Sequence, residues 1–364
     1  MSLSSNYKIY STSKDAWDAM YQAISSAQKS IYWELYIFLD DEAGNPFFDL
    51  LEQKAKAGVD VKIVVDSLGS FWLSNRRIKR LREAGVDFRF FYERKKRYRG
   101  WWKRLWSRTH RKILIIDQTI GFIGGVNVGK EMKDWLDIHV RLEGNVVHSL
   151  LRAFAKSYII CGGEKKNVRR FLKHKLFFSR GDGELILDEP HARHSSARER
   201  YTKALSLARR RVIFFSPYYF PDKKFLLALW HARKRGVRVD LLIPFRTDVK
   251  IMALVTYTWF SLLRKAGVKV HLIDQMLHGK GVIVDDDWAM VGSSNLEHTS
   301  FYDNYEANLK IEDKAAIKFI KDVVESWIMK SKHLYDNPSI KYSFWQRFQQ
   351  RVAVKLYRLW HGEK

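Results

Sequence analysis

The chain has 364 residues, of which 46% are hydrophobic, so it can bury one large core or two medium-sized ones. A formal net charge of +25 predicts an anionic partner, either nucleic acid or an acidic membrane surface. The single cysteine, Cys161, excludes an intrachain disulfide framework and favours a reducing compartment, and the N-terminus lacks the apolar segment of a secretory signal. No apolar stretch is long enough to cross about 30 Å of hydrocarbon, so we expect any membrane contact to be peripheral.

Two similar series of segments follow one another along the chain and indicate a duplication. The matching segments alternate helix-like and strand-like patterns, and they lie at 23–41, 56–66 and 82–91 in the first half and at 204–222, 234–244 and 264–273 in the second. This pattern predicts an α/β fold in which each half is a mixed β-sheet flanked by helices. Two similar halves most simply pack about a pseudo-twofold axis, with the active site between them.

Changes in composition suggest where these units begin and end. We expect a first half at 1–161, a basic linker at 162–183, a second half at 184–335 and a basic amphipathic tail at 336–364. The first half also carries an insertion of 14 residues, because Arg82 and Arg264 are 182 residues apart whereas the histidines described next are 168 apart.

Each half ends in the same spaced motif, H-x-K-x4-D-x6-G-x-x-N. Its residues are His110, Lys112, Asp117, Gly124 and Asn127 in the first copy and His278, Lys280, Asp285, Gly292 and Asn295 in the second. In each copy the His and Lys precede a short apolar run that is typical of a buried strand. Because residues i and i+2 of a strand face the same way, each His shares a face with its Lys, and the Gly-containing turn returns the Asn to the same rim. Two such half-sites predict a pocket for a phosphodiester.

This constellation resembles the phospholipase D superfamily over roughly residues 7–330, and within it the bacterial cardiolipin synthases. The narrower similarity rests on segments such as YIFLDDEAG (36–44), GGVNVG (124–129) and SFYDNYEANL (300–309). The resemblance implies two phospholipase D-like halves and a synthase of the short type without N-terminal transmembrane helices. It also implies transfer of a phosphatidyl group between phospholipids, in which two phosphatidylglycerol molecules give cardiolipin plus glycerol.

Attack on a phosphodiester faces two obstacles, the negative charge of the phosphodiester and its poor alkoxide leaving group. The motif residues can overcome both. A neutral imidazole can attack phosphorus and form a phosphohistidine, while the other imidazole protonates the alkoxide and then deprotonates the incoming alcohol. The motif lysines and asparagines can hold the nonbridging oxygens. This scheme needs no metal and no other cofactor, and the sequence has no zinc-type spacing. By resemblance, His110 is the nucleophile and His278 the acid/base.

Other polar residues near the motifs are candidates for supporting roles. Asp137 and Glu306 lie ten and eleven residues after the motif asparagines and are the candidate carboxylates that orient the histidines, as their counterparts do in the family. We expect Asp117 and Asp285 to stabilise the motif turns and the interface between the halves rather than to touch substrate. The candidate substrate-binding residues are Tyr36, Tyr218 and Ser293. For the tyrosines, the alternative is a place in the core, where aromatic strand residues are common.

Basic segments rich in aromatic residues bear on the choice between lipid and nucleic acid. Residues 94–108 hold eight Lys or Arg and three Trp, and the tail 341–364 places apolar residues on one helical stripe and cations on another. Tryptophan favours the membrane interface, and Lys and Arg attract anionic lipids. We therefore expect four tryptophans to bind the membrane, namely Trp101, Trp102, Trp106 and Trp345.

The interpretation that these features favour is a peripheral phosphatidyltransferase at the cytoplasmic face of the bacterial inner membrane. Its partners would be anionic phospholipid substrates and an anionic membrane surface. Two alternatives stay open: hydrolysis of phospholipids by water, and phosphodiesterase action on nucleic acid, since aromatics among cations also bind single strands. The sequence specifies neither the oligomeric state nor a partner protein.

Overall fold

The computed structural model describes residues 7–92, 107–174, 178–179, 183–190, 195–220 and 222–334. The expected membrane residues Trp101, Trp102, Trp106 and Trp345 lie outside these ranges, as does the whole of the expected tail. Among the described residues, no helix combines the length and the apolar composition that crossing a bilayer requires.

A mixed sheet of seven strands forms the centre of the first half. Its strands are β1 (Tyr7–Thr12), β2 (Ser30–Leu35), β3 (Asp60–Asp66), β4 (Asp87–Phe91), β5 (Ile113–Ile116), β6 (Ile120–Gly124) and β7 (Leu136–Glu143). They lie side by side in the order β1-β7-β6-β5-β2-β3-β4. Strands β2, β3 and β4 run parallel to one another, while β5, β6 and β7 pair antiparallel with their neighbours.

The second half contains a sheet of nine strands with a matching core. Its strands are β8 (Phe178–Ser179), β9 (Gly183–Asp188), β10 (Arg211–Phe215), β11 (Arg238–Pro244), β12 (Lys269–Ile273), β13 (Gly281–Val284), β14 (Trp288–Gly292), β15 (Glu306–Ile311) and β16 (Lys332–His333). The order β15-β14-β13-β10-β11-β12 repeats the order β7-β6-β5-β2-β3-β4 of the first sheet. The predicted α/β class, with two similar mixed sheets, is therefore confirmed.

Helices cover the faces of both sheets. They are α1 (Ser13–Ser26), α2 (Asn45–Lys56), α3 (Asn75–Glu83), α4 (Val146–Ile160), α5 (Lys165–Leu172), α6 (Ser196–Leu207), α7 (Lys223–Lys234), α8 (Lys250–Tyr257), α9 (Phe260–Lys265) and α10 (Lys314–Met329). Helix α5 lies within the expected basic linker. Its Val168 and Phe171 are fully buried in a core cluster that contains Phe154 of α4.

One hydrophobic core joins the two halves. It contains Ile123 and Val140 of the first sheet together with Val291 and Leu309 of the second, and Trp327 of α10. All of these side chains are buried, so separating the halves would expose a large apolar surface to water. The two sheets are therefore fixed relative to each other, and the ends of β7 and β15 lie at their junction.

Candidate active site

Each motif histidine is held by the main chain of the opposite half. The backbone N–H of His110 donates to the carbonyl of Tyr305 at 2.9 Å, and that of His278 donates to the carbonyl of Leu136 at 2.7 Å. Tyr305 and Leu136 immediately precede Glu306 and Asp137, at the starts of β15 and β7. This reciprocal exchange of contacts is the pseudo-twofold relation expected of a duplicated chain.

The side chains repeat the same exchange. His110 Nδ1 lies 3.0 Å from both carboxylate oxygens of Glu306, and His278 Nδ1 lies 2.7 Å from Asp137 Oδ2. All four side chains are buried. Donation of the Nδ1 proton to the carboxylate fixes the tautomer, so Nε2 of each ring keeps the lone pair needed for attack or proton transfer. The sequence predicted Asp137 and Glu306 as orienters, and the structure places each one on the histidine of the other half.

Burial lowers the pKa of both imidazoles. Although the paired carboxylates oppose this effect, the pKa of His110 lies below its ordinary value, and burial together with Lys280 lowers that of His278 to about 4. These shifts favour the neutral form of both rings at pH 7, which suits a nucleophile but not a general acid. Binding of an anionic phosphodiester beside His278 would raise its pKa, so that the acid form arises with substrate in place.

The two motif lysines are buried beside these histidines. Lys112 Nζ donates to the carbonyl of His110 at 2.7 Å, and Lys280 Nζ donates to the carbonyl of His278. Burial and the charge of Lys280 lower the pKa of Lys112 well below its ordinary value, and burial lowers the pKa of Lys280 to about 8. Two ammonium groups that repel each other in a dry site gain the most from an anion placed between them. The site is thus electrostatically suited to a phosphodiester.

The two orienting carboxylates are accommodated differently. A Cβ on Gly125 would lie 2.3 Å from Asp137 Oδ1, so only glycine leaves room for this carboxylate. The second motif has Ser293 at the corresponding position, and its hydroxyl donates to Glu306 Oε2. Ser293 is fully buried. The structure therefore places this expected substrate-binding residue against the orienting carboxylate, where it helps to hold Glu306.

The motif asparagines occupy different environments. Asn127 Oδ1 accepts a hydrogen bond from the backbone N–H of Ile37 at 3.1 Å, and so it ties β6 to the chain after β2. Asn295 Nδ2 donates to Glu297 Oε1 at 3.1 Å, while Asn295 Oδ1 is buried without a hydrogen-bond partner. Both amides were expected to hold phosphate oxygens. The Nδ2 group of Asn295 is engaged by the side chain of Glu297.

Aromatic rings from the first half lie beside both histidines. The Tyr36 ring meets that of His110 edge-on at 5.1 Å, and the Trp135 ring lies 5.2 Å from that of His278. Lys112 Nζ lies 5.3 Å from the centre of the Tyr36 ring. The expected substrate residue Tyr36 is therefore at the site. The hydroxyl of Tyr218, the other expected tyrosine, donates to Asp248 Oδ1 at 2.5 Å.

Sequence reasoning missed Glu297, a buried acid in the same neighbourhood. Burial raises the pKa of Glu297 to about 7, and the charges of Glu306 and Lys280 also act on it. The residue lies two positions after the motif asparagine, where the first half has Gly129, so the comparison of the repeats gave no signal. A carboxylate directly after the second motif was the one feature that could have identified it.

Asp117 and Asp285 lie in the turns of the motif hairpins. Asp117 accepts from the backbone N–H groups of residues 28, 29 and 30, and Asp285 accepts from those of residues 209, 210 and 211. Both aspartates have positive φ angles, near 51°, which their hydrogen bonds help to stabilise. These contacts all lie within one half. The expectation that the aspartates stabilise the interface between the halves is therefore wrong, because each one binds the backbone of its own half.

We expect Asp117→Ala to lower the free energy of unfolding by about 1–3 kcal/mol, because several backbone N–H groups lose an anionic acceptor. Turnover per folded molecule should stay close to that of the parent. Urea unfolding and turnover at low temperature measure the two effects separately. Asp285→Ala, the matched change in the other half, should behave in the same way, and a loss of turnover without a loss of stability would contradict this role.

The chain is similar to known proteins over most of its length. A family model described as cardiolipin synthase, phospholipase D-like domain, matches residues 20–155 and 201–327. The cardiolipin synthase of Alkalihalophilus pseudofirmus is 32% identical over 335 residues, which are 89% of this chain and 66% of that protein. The cardiolipin synthase of Geobacillus kaustophilus is 31% identical over 371 residues, 99% of this chain and 72% of that protein. The chain thus spans about two thirds to three quarters of the length of these curated relatives.

Solved structures with low sequence identity share the fold. The phosphatidylserine synthase of Haemophilus influenzae superposes with a TM-score of 0.74 at 14% identity, covering 98% of this chain and 94% of its own. A polyphosphate kinase from Porphyromonas gingivalis gives a TM-score of 0.60 at 16% identity, covering 95% of this chain and 52% of its own. From its matched domains and its close relatives, this chain belongs to the cardiolipin synthase family with phospholipase D-like domains.

Proposed function

We propose that the protein is a cardiolipin synthase, which transfers a phosphatidyl group from one phosphatidylglycerol to a hydroxyl of a second and releases glycerol. The observation that supports this most strongly is the crossed pair of His–carboxylate contacts, His110–Glu306 and His278–Asp137, beside two buried lysines. Such a pair supplies one nucleophile and one acid/base to a single phosphorus atom.

The first half-reaction forms a covalent intermediate. His110 Nε2 attacks phosphorus, a P–N bond forms, and the P–O bond to the glycerol headgroup breaks. His278, protonated in the complex, gives its Nε2 proton to the departing alkoxide, so glycerol leaves as the neutral alcohol. Glu306 stabilises the charge that develops on the His110 ring, and the two lysines stabilise the nonbridging oxygens as phosphorus becomes five-coordinate.

The second half-reaction reverses these roles at the same atoms. The hydroxyl of the acceptor lipid loses its proton to His278 and attacks phosphorus. A P–O bond forms, the P–N bond breaks, and His110 returns to its neutral state. Water in place of the lipid hydroxyl would release phosphatidic acid, so the outcome depends on which nucleophile reaches the intermediate.

The products identify the activity directly. Purified protein is incubated with phosphatidylglycerol vesicles, and the lipids and the aqueous phase are analysed by mass spectrometry. Cardiolipin with an equal amount of glycerol is expected. Phosphatidic acid in place of cardiolipin would indicate a phospholipase D, and cleavage of single-stranded nucleic acid without lipid turnover would indicate a nuclease.

We expect turnover to proceed without a divalent cation. Two histidines already supply attack and proton transfer, and two lysines supply charge stabilisation, so no step remains for a metal. Turnover of a soluble short-chain phosphatidylglycerol in excess EDTA should match turnover without the chelator. Complete loss in EDTA, restored by one specific cation, would contradict the scheme.

We further propose that the protein works peripherally at the cytoplasmic face of the bacterial inner membrane. The net charge of +25 favours attraction to anionic lipids, and a single cysteine fits a reducing compartment. In this position, the anionic phospholipids of the inner leaflet are both the surface that the protein binds and its substrates.

A further inference from the structure

A loop at the end of β3 exposes large apolar side chains to solvent. We name residues 67–74 the mouth loop. Within it, Leu68, Phe71 and Trp72 are 57%, 52% and 80% exposed, and the rings of Phe71 and Trp72 pack edge-on at 5.3 Å. The sequence of the loop, SLGSFWLS, contains no charged residue. A contiguous apolar patch of this kind on a protein surface marks a contact with another apolar phase or partner.

Buried polar contacts hold the first part of the mouth loop. Asp66 Oδ1 accepts from the backbone N–H groups of Leu68 and Gly69 at 2.9 and 3.0 Å. Ser70 is fully buried, and its hydroxyl accepts from the N–H of Phe38 and donates to the carbonyl of Tyr36. Between Leu68 and Trp72 the usual arrangement of a solvent-facing loop is thus inverted, with Ser70 inside and the aromatic side chains outside. Such an inversion costs free energy in water, so it points to an apolar environment.

The loop lies directly on the rim of the active site. A Cβ on Gly69 would lie 2.3 Å from the carbonyl oxygen of Tyr36, the residue whose ring contacts His110. Arg108 connects the same parts, because its guanidinium donates to both Asp66 Oδ1 and Ser67 Oγ. The exposed aromatic side chains are therefore carried on a rigid support that also positions the nucleophilic histidine.

We propose that the mouth loop inserts Leu68, Phe71 and Trp72 into the interfacial layer of a phospholipid bilayer and so turns the active site toward the membrane. The choice of a lipid surface rests on the proposed function. A phosphodiester whose acyl chains remain in the bilayer can reach His110 only if the rim of the site meets the lipid headgroups. Aromatic side chains favour that layer, and an uncharged loop enters it without burying an ion.

The charges next to the loop complement this orientation. Helix α3 begins at Asn75, directly after the loop, and its exposed face carries Arg76, Lys79 and Arg80, of which Lys79 and Arg80 also pair with Glu83 and Glu52. Cations beside an inserted apolar segment attract anionic headgroups and add to its binding. A protein partner would fit the same patch less well, because the apolar part of the loop is small and the helix beside it carries five Lys or Arg and a single Glu.

Binding and turnover of separate substrates test the loop. In the variant Leu68→Ser/Phe71→Ser/Trp72→Ser, affinity for phosphatidylglycerol vesicles should fall at least about tenfold at both low and high salt, because apolar burial does not depend on ions. Turnover of vesicular phosphatidylglycerol should fall with it. Turnover of a soluble short-chain phosphatidylglycerol should be unchanged, because none of the three side chains belongs to the catalytic machinery.

A matched variant controls for the loss of exposed apolar surface as such. Leu227 and Trp230 of α7 are 57% and 41% exposed, so Leu227→Ser/Trp230→Ser removes a similar patch elsewhere on the molecule. It should bind vesicles like the parent. The single change Trp72→Ser, with an unaltered melting temperature, provides a second test if the triple variant folds poorly.

Several outcomes separate this inference from the proposed function. Unchanged vesicle binding by the triple variant and by Trp72→Ser would overturn the inference. A triple variant that binds vesicles like the parent but changes from oligomer to monomer would also overturn it, because the loop would then belong to a protein interface. If the parent binds vesicles through the loop but turns over neither vesicular nor soluble lipid, the proposed function fails and the inference stands.

Discussion

His110→Ala and His278→Ala are each expected to lower turnover of a soluble short-chain phosphatidylglycerol by at least about 10,000-fold. The first change removes the nucleophile, and the second removes the group that protonates the leaving alkoxide and activates the acceptor. Each motif histidine is held by the opposite half through both its backbone N–H and its ring, so its Nε2 has a fixed position in the site. Steady-state release of glycerol by purified, folded protein measures the effect.

A third buried His–carboxylate pair, outside the site, provides the control. His271 of β12 lies 2.8 Å from Asp240 Oδ1, and it belongs to the sheet of the second half rather than to the site. His271→Ala should therefore retain turnover per folded molecule, even though it disrupts a similar buried contact. Comparable losses of turnover in His271→Ala and in the motif variants would mean that stability, and not chemistry, causes both.

Asp137→Asn and Glu306→Gln are expected to lower kcat by about 100- to 10,000-fold with a much smaller change in KM. An amide at either position can donate to Nδ1, which favours the tautomer with the proton on Nε2, where the lone pair is needed. Nitrogen chemical shifts of the labelled histidines report this change of tautomer, which a merely structural residue would leave unaltered. Activity within about twofold of the parent would contradict the positioning role.

The crossed arrangement makes these two variants differ in an informative way. Because Glu306 holds His110, Glu306→Gln should suppress the covalent intermediate. Because Asp137 holds His278, Asp137→Asn should mainly slow the proton transfers and leave some intermediate detectable. Equal effects of both variants on the intermediate would argue against separate roles for the two histidines.

The sequence predicted the motif residues and the fold class because both follow from local spacing. The apolar runs before Asp117 and Asp285 form strands β5 and β13, as their pattern indicates. The spacing also identified Asp137 and Glu306, but it did not indicate that each contacts the histidine of the other half. That choice depends on how the two sheets pack, which is a property of the shared core and not of either motif.

Other features of the site could not be predicted from the sequence, because they depend on which side chains are buried in the fold. The lysines were expected to hold the nonbridging oxygens, but the sequence did not indicate that burial lowers the pKa of Lys280 to about 8. Ser293 was expected at the substrate, and the structure places its hydroxyl on Glu306. Which side chains of the mouth loop face inward depends on contacts with the adjacent Asp66 and with Tyr36, which is 34 residues away from Ser70 in the chain.

The most direct test of the central claim is to locate the phosphatidyl group on the enzyme. The His278→Ala protein is incubated with short-chain phosphatidylglycerol, digested at alkaline pH, where phosphohistidine is stable, and mapped by mass spectrometry. A phosphatidyl adduct on His110 is expected after long incubation, because loss of His278 slows its formation but leaves no base to activate the acceptor that would remove it. The His110→Ala protein should carry none. An adduct on His278 in the His110→Ala protein would reverse the roles of the two histidines. If the parent turns over substrate but neither variant carries an adduct, transfer through a phosphohistidine is contradicted.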